Sequence, residues 1–334
     1  MNYSHSLFGI IFMLLNTLSL SFLDMTSKYL KLSMNSSHIV FLYKSLLFLI
    51  ILPWVFKDGI RNIHSAKLHI HLIRSFFSVA GSLAFIKGLQ YVSLADASAL
   101  ENVQYMILVF AGMIFFKESV TKTKIFALVI GILGCIIVVK PTILSSIYAY
   151  YVLGAPDFNF EVFETENRRY FGYTLMAMAF WSMNSISVKI LGRTEKNKTQ
   201  MFYLMLFATI WTMPFAFVEW GAYDAFFNLP VKPIGLYTFS EFNFRAEYFI
   251  LILFMALCYF VHGVAYFNAL KYDLSIVVPF RYTKLLFSTV IGYYIFAETQ
   301  NPLTIVGYAL IVLSGLSLTR YEYRKYKYSK TTKT

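Results

Sequence analysis

Charge is what this 334-residue chain has least of. Asp, Glu, Lys and Arg together make up 14% of it, where a soluble domain carries roughly 25%. Hydrophobic residues make up 58% and are spread along nearly the whole length, so a single anchor on a water-soluble domain is excluded. The ~10-residue alternating segments of a membrane barrel are missing. Only two cysteines occur, Cys135 and Cys258, both inside apolar runs, so neither a disulfide framework nor a metal set is expected. No GxxxxGK[ST], HExxH or GxSxG motif is present. No catalytic residue, cofactor or metal is therefore expected. The N-terminal stretch lacks a basic leader and a small-x-small cleavage site, and reads as a first span rather than a signal peptide.

What the chain does have is apolar runs of a length that crosses a ~30 Å hydrocarbon core as helix. Only helices or closed barrels satisfy every backbone group in lipid, so the fold class is an all-α integral membrane protein. Ten transmembrane helices are expected, over 7–24, 38–56, 70–88, 94–116, 123–140, 170–191, 199–219, 247–269, 274–297 and 302–319. An even number puts both termini on one side. Lys and Arg are about twice as frequent in the loops and tail that are cytoplasmic if the termini are, which predicts that orientation. The formal net charge of +12 resides mainly in those loops and in the tail from 320 to 334, so the expected basic-tail partner is the lipid bilayer and no nucleic acid. Two long loops, 141–169 and 220–246, read as linkers or lids.

One stretch occurs twice. Ala84 to Glu118 and Ala265 to Glu298 align at an offset of about 180, with Phe116-Lys117-Glu118 over Phe296-Ala297-Glu298. Each copy joins the end of one apolar run, a polar turn and a second run. A weaker match pairs Ser27-Lys28 with Val188-Lys189. The chain thus divides into a first repeat (1–140, spans 1–5), an outer linker (141–169), a second repeat (170–319, spans 6–10) and the tail (320–334). Five spans is odd, so the second repeat enters the membrane the other way round. That gives two inverted five-helix repeats, an arrangement whose sites lie near the midplane between the halves.

The run Pro279-Phe280-Arg281-Tyr282 through Gly292-Tyr293-Tyr294 to Glu298, together with Ala84 to Glu118, resembles the drug/metabolite transporter superfamily in its EamA branch. The resemblance spans essentially the whole chain apart from the two long loops. It implies ten helices, no ATPase unit and a central cavity lined mainly by the first, third, fourth, sixth, eighth and ninth spans. The family often has a proline in the fourth span where this chain reads Asn102-Val103-Gln104-Tyr105. Carriers of S-adenosylmethionine occur in the family, which implies a substrate of that kind.

Ionisable groups inside spans are costly, roughly 2.5–3.5 kcal/mol at a helix centre on insertion scales. Glu101 lies about seven residues into the fourth span and Arg281 about seven into the ninth, each ~10 Å deep at 1.5 Å per residue. The repeat sets Glu101 against Arg281 and Gln104 against Lys284. Two readings stand: an ion pair that only locks the halves, or a substrate site that the pair opens and closes. Tyr105 and Tyr282 flank these groups. Trp181 and Asn184 on the sixth span, with Ser185, offer a ring and polar groups; Asn16 does so alone on the first. His262 and Tyr266, at i and i+4 on the eighth, share a face, and His262 is either a carrier of a coupling proton or a packing residue. Arg74 is a cavity group or an interface group, and Lys44 is expected to snorkel. Asp24 and Lys28, one turn apart, read as a local helix-end pair. Glu118 and Glu298 are expected to cap the following helix or to pair with a loop cation. Ala127, Gly131 and Cys135 on the fifth span, with Gly307 and Gly315 on the tenth, allow close packing between the halves or between the protomers of a homodimer.

The expected function is a secondary transporter of a bacterial inner (cytoplasmic) membrane. It would move a small polar metabolite, an amino acid or a derivative such as S-adenosylmethionine, by alternating access, with a coupling proton or counter-substrate. The substrate site would comprise Glu101, Gln104, Tyr105, Trp181, Asn184, His262, Tyr266, Arg281, Tyr282 and Lys284. The competing class is a membrane receptor, scaffold or lipid-acting enzyme that transports nothing.

Overall fold

A computed structural model describes residues 3–57, 63–115, 121–139, 165–191, 194–216, 246–269 and 278–331. Glu118, almost all of the loop 220–246 and most of the loop 141–169 lie outside these residues. The described residues form ten α-helices and no strand: α1 Tyr3–Lys31, α2 Ser36–Phe56, α3 Leu68–Gly88, α4 Leu94–Phe115, α5 Lys122–Val139, α6 Thr165–Leu191, α7 Asn197–Ala216, α8 Ala246–Ala269, α9 Thr283–Phe296 and α10 Pro302–Thr331. Four of them, α1, α2, α3 and α8, are long and apolar enough to cross a membrane.

The helix ends follow from local chemistry. Ser93 caps the start of α4: the Asp96 N–H donates to Ser93 Oγ at 3.0 Å, and Ser93 Oγ donates to Asp96 Oδ2 at 2.7 Å. Pro302 opens α10, where its missing N–H costs nothing, and Asn301 Oδ1 accepts from the Leu303 N–H. At the end of α9, Ala297 adopts a left-handed φ of 52°. The N–H groups of Ala297 and Glu298 then both reach back to Gly292 O, the latter at 3.0 Å, which satisfies a carbonyl left over at the helix end. Gly292 leaves room for the folded-back Glu298 carboxylate, which a Cβ at that position would displace.

Three expectations need correction. The first helix does not stop near residue 24 but runs to Lys31, so Asp24 and Lys28 lie within it. The ninth span is not one α-helix over its described length: Val278–Tyr282 is a 3₁₀ turn and α9 starts at Thr283. Pro279 has no N–H to give and cannot sit inside a continuous α-helix without losing a bond. The tenth helix continues through the basic tail to Thr331.

The bundle sets polar and charged side chains within an apolar core and turns apolar side chains outward. Lys44, Arg74, Lys284, Asp24 and Asn16 are buried, while Ile125, Phe126, Leu133, Leu286, Val290, Ile305 and Leu313 are exposed, as lipid contact requires. Buried hydroxyls on α1 are satisfied by the helix itself: Thr17 donates to Met13 O, Ser21 to Thr17 O and Ser27 to Leu23 O. The main contacts between the first five helices and the last five are α1 with α8 and α9, α2 with α7 and α8, α3 with α6 and α7, α4 with α6 and α9, and α5 with α10. Replacing every helix by its counterpart five places along maps this set onto itself.

Candidate functional site

The polar centre is built from one face of α1, the first half of α4 and the start of α9. On α1, Thr17, Ser21, Asp24 and Lys28 recur at steps of four, three and four, which puts them on one face of a helix. Thr17 Oγ1 lies 3.1 Å from Thr283 Oγ1. Ser21 Oγ lies 3.3 Å from Ser288 Oγ, to which Ser98 Oγ donates at 2.6 Å. Above these hydroxyls sits Lys284. Its ammonium donates to Glu101 Oε1 and lies 2.7 Å from Asp24 Oδ2. The three side chains are 8%, 17% and 4% exposed in the order Lys284, Glu101, Asp24, so the cluster is almost closed off. A small cavity opens beside it, bounded by Asn16, Ser98, Glu101, Asn102, Arg281 and Lys284.

The cation that meets Glu101 is therefore Lys284, where the repeat alignment had set Arg281. Residue counting fixes depth but not the rotation of a helix about its axis, and the rotation of α9 turns Lys284 to α4. Arg281 instead lies over the Tyr266 ring at 5.3 Å and donates to its hydroxyl at 3.4 Å, a cation–π arrangement. Tyr266 stacks with His262 at 6.3 Å between ring centroids. The His262 Nδ1 is 2.7 Å from Asn16 Nδ2, which also donates to the His262 carbonyl at 3.0 Å.

The remaining candidates fall in other places. Gln104 does not reach Lys284; its amide donates to Ser185 Oγ at 2.9 Å and to Trp181 O at 3.3 Å. Trp181 packs on Phe85 at 5.0 Å and across Gly81, where any Cβ would strike its indole. Asn184 Oδ1 accepts from Arg74 Nε at 3.0 Å, and Arg74 also donates to Gln200 Oε1 at 3.3 Å. Arg74 is thus a buried α3 tie to α6 and α7. Tyr282 sits against Gly315 of α10, which has no room for a side chain. Tyr105 lies on α4, its side chain outside the described residues.

Lys44 does not snorkel. It is 0% exposed, because the side of α2 that carries it faces α8. Its ammonium lies 5.2 and 5.8 Å from the rings of Tyr43 and Tyr259 and has no hydrogen-bond partner among the described residues. Lys28 is not paired with Asp24. It donates to Val92 O at 2.6 Å and to Glu298. Glu298 in turn accepts from the Leu94 N–H at 2.9 Å, so it caps the start of α4 rather than the next helix, and its cation comes from α1. At the opposite end of the bundle, Glu195 accepts from Ser65 and lies 2.6 Å from His71 Nε2. Asp24 is the functional candidate that counting missed. The polar stripe on α1 was its signal, hidden by ending the helix too early. No cluster of metal-binding residues occurs among the described residues.

Residues 7–140 match the EamA-like transporter family. Over 308 residues the chain is 22% identical to a protein from Rickettsia felis named S-adenosylmethionine uptake transporter, covering 92% of this chain and 91% of that one. A riboflavin transporter from Vibrio cholerae is 24% identical, covering 96% of each chain. A pseudopaline exporter from Pseudomonas aeruginosa is 20% identical over 93% of this chain and 96% of its own. A solved crystal structure superposes at a TM-score of 0.55 with 13% identity, over 97% of this chain and 99% of that one, a likeness of fold alone. These matches support the drug/metabolite transporter resemblance and a small-molecule transporter working in a membrane, rather than an enzyme.

Proposed function

We propose that the chain is a secondary transporter of a bacterial inner membrane, with both termini cytoplasmic. It carries a small polar metabolite with an amine and a carboxylate by alternating access. Its architecture is two inverted five-helix repeats, 1–140 and 170–319, joined by the linker 141–169 and followed by the tail 320–334. The helix-pair set that maps onto itself when each helix is exchanged for its counterpart supports this reading, since an inverted repeat relates the halves by a pseudo-twofold axis.

The observation that carries the proposal is the buried cluster in which α4 of one half and α9 of the other meet through Glu101 and Lys284. A zwitterion can insert into such a pair and give each of its two members a partner of opposite charge. Its ammonium takes Glu101, and its carboxylate takes Lys284 with help from Arg281. Breaking the Glu101–Lys284 contact frees α4 from α9, and these are the helices that alternating access must separate. Tyr266, Tyr282 and His262 form the aromatic side of the same space. Gln104, Trp181 and Asn184 shape its α4–α6 wall, and Tyr105 belongs to the same stretch of α4. S-adenosylmethionine, an amino acid with an added positive charge, fits this donor set, and the name of the R. felis relative points the same way.

The test is uptake of labelled S-adenosylmethionine, and of a panel of labelled amino acids, into reconstituted vesicles. Saturable uptake is expected in the wild type. A loss of at least tenfold is expected in Glu101→Gln, a variant that keeps size and hydrogen bonding. Binding without translocation would replace the carrier with a receptor.

A further inference from the structure

The central cluster holds two carboxylates and a single ammonium, and the two acids are not held alike. Glu101 takes a directed hydrogen bond from Lys284. Asp24 Oδ2 lies 2.7 Å from the same nitrogen, and Lys284 is the one cation seen to meet it among the described residues. Asp24 is also the deeper of the two, at 4% exposure against 17%. A buried carboxylate held by one shared ammonium depends on that counter-charge. When that counter-charge is drawn off, neutralisation by a proton is the cheapest remaining state.

We infer that Asp24 is a proton-binding site that couples substrate movement to proton movement, resting on the carrier reading above. When a substrate carboxylate draws Lys284 away, Glu101 receives the substrate ammonium. Asp24 is left with no cation and takes one proton from the side to which the cavity is then open. When substrate leaves and Lys284 returns, the ammonium displaces that proton on the other side. One proton thus moves with one zwitterion.

Among the described residues, the other ionisable groups around Asp24 each have a partner of their own. From α9 it faces Lys284, and from α4 Glu101. From α2 the Tyr43 phenol is within electrostatic reach, donating to Ser82 on α3 at 3.2 Å. On α8, which packs along α1, His262 is engaged by Asn16. On α1 itself, one turn on, Lys28 is committed to Glu298. On α3, His71 pairs with Glu195, and Arg74 with Asn184 and Gln200.

Two experiments decide this, and the first needs no substrate. Infrared difference spectra of the purified chain in vesicles at neutral pH should show a protonated carboxyl C=O band in Lys284→Met that the wild type lacks. That band should vanish in Lys284→Met/Asp24→Asn and persist in Lys284→Met/Glu101→Gln. A band that survives Asp24→Asn, or no band at all, overturns the assignment whether or not the chain is a carrier. The second experiment uses vesicles and labelled S-adenosylmethionine or the amino acid that the panel identifies. An inward acid gradient should raise wild-type accumulation several-fold, and Asp24→Asn should lose this response while still exchanging internal for external label. Gradient-driven accumulation in Asp24→Asn overturns the inference and leaves the carrier intact. Absence of uptake and exchange in folded wild type removes the carrier reading itself. Asp24→Glu, which keeps the acid, should retain coupling and guards against a folding defect.

Discussion

Two helix pairs that the exchange of halves maps onto themselves, α4 with α9 and α5 with α10, are joined in opposite ways. Between α5 and α10 the backbones nearly touch: a Cβ on Gly134 would stand 2.9 Å from Gly307 O, and one on Gly307 would stand 2.9 Å from Gly134 O. Ser314 of α10 donates to Ala127 O of α5 at 2.6 Å. No ionisable side chain takes part in these contacts. Between α4 and α9 the joint is Glu101 with Lys284 and Ser98 with Ser288. Close-packed small residues give contact that is hard to vary, since the surfaces fit in one register. An ion pair can be opened by a ligand that supplies both of its charges. One joint suits a fixed seam and the other a seam that works.

Removing Lys284 should have the largest effect. Lys284→Met strands two buried carboxylates, and breaking a buried pair costs about 3–5 kcal/mol. Thermal unfolding in detergent should show it, and Lys284→Met/Asp24→Asn should recover a substantial part. A loss under about 1 kcal/mol would mean the cluster is wetter and looser than the structure has it, and the contrast between the two joints would go. Next comes the seam. Gly134→Val forces a branched side chain against the backbone of α10 and should cost about 1–3 kcal/mol as overpacking, with transport per folded molecule unchanged. Gly172→Ala is its control: nothing lies within 4 Å of a Cβ there, and a mid-helix Gly→Ala change should gain about 0.5–1 kcal/mol.

A third joint lies between these two in kind. Glu298 ties the end of α9 to α1 through Lys28 and to α4 through the Leu94 N–H. Glu298→Gln keeps an acceptor for that N–H but removes the charge, so a loss of about 1–2 kcal/mol is expected from the weakened charge-assisted bonds. Glu298→Ala should lose more, because the cap goes too. If the two variants unfold at the same temperature, Lys28 contributes everything and the cap nothing.

Much of this was legible in advance, and the failures share a cause. Run length and turn residues located all ten helices, because hydrocarbon thickness dictates how many apolar residues recur before a polar break. The repeat pointed to the meeting of α4 and α9. What counting cannot supply is azimuth. Arg281 and Lys284 are three residues apart, nearly one turn, and only packing decides which of them faces α4. The same ignorance sent Lys44 to an interface when its face of α2 is turned to α8, and paired Asp24 with Lys28 along one helix when each reaches across to another. Trp181, Asn184 and Gln104 were marked as substrate-site candidates from their residue type and span alone. Their contacts with Phe85, Arg74 and Ser185 depend on neighbours far away in the chain.

Lys44 gives the smallest expected effect and the sharpest contrast with Lys284. Both are buried ammonium groups, on α2 and α9. Lys284 has two carboxylates, whereas Lys44 has two tyrosine rings and no hydrogen-bond acceptor among the described residues. A cation over desolvated aromatic rings gains about 2 kcal/mol, which does not offset the several kcal/mol that burying an ion costs. Lys44→Met keeps the length of the side chain, removes the orphaned donor and should leave stability unchanged or raise it by about 1 kcal/mol, as apolar replacement of costly buried charge does elsewhere. The opposite result, a loss on the scale of Lys284→Met, would show that Lys44 has an anionic partner beyond the described residues, and the two lysines would then belong to one class.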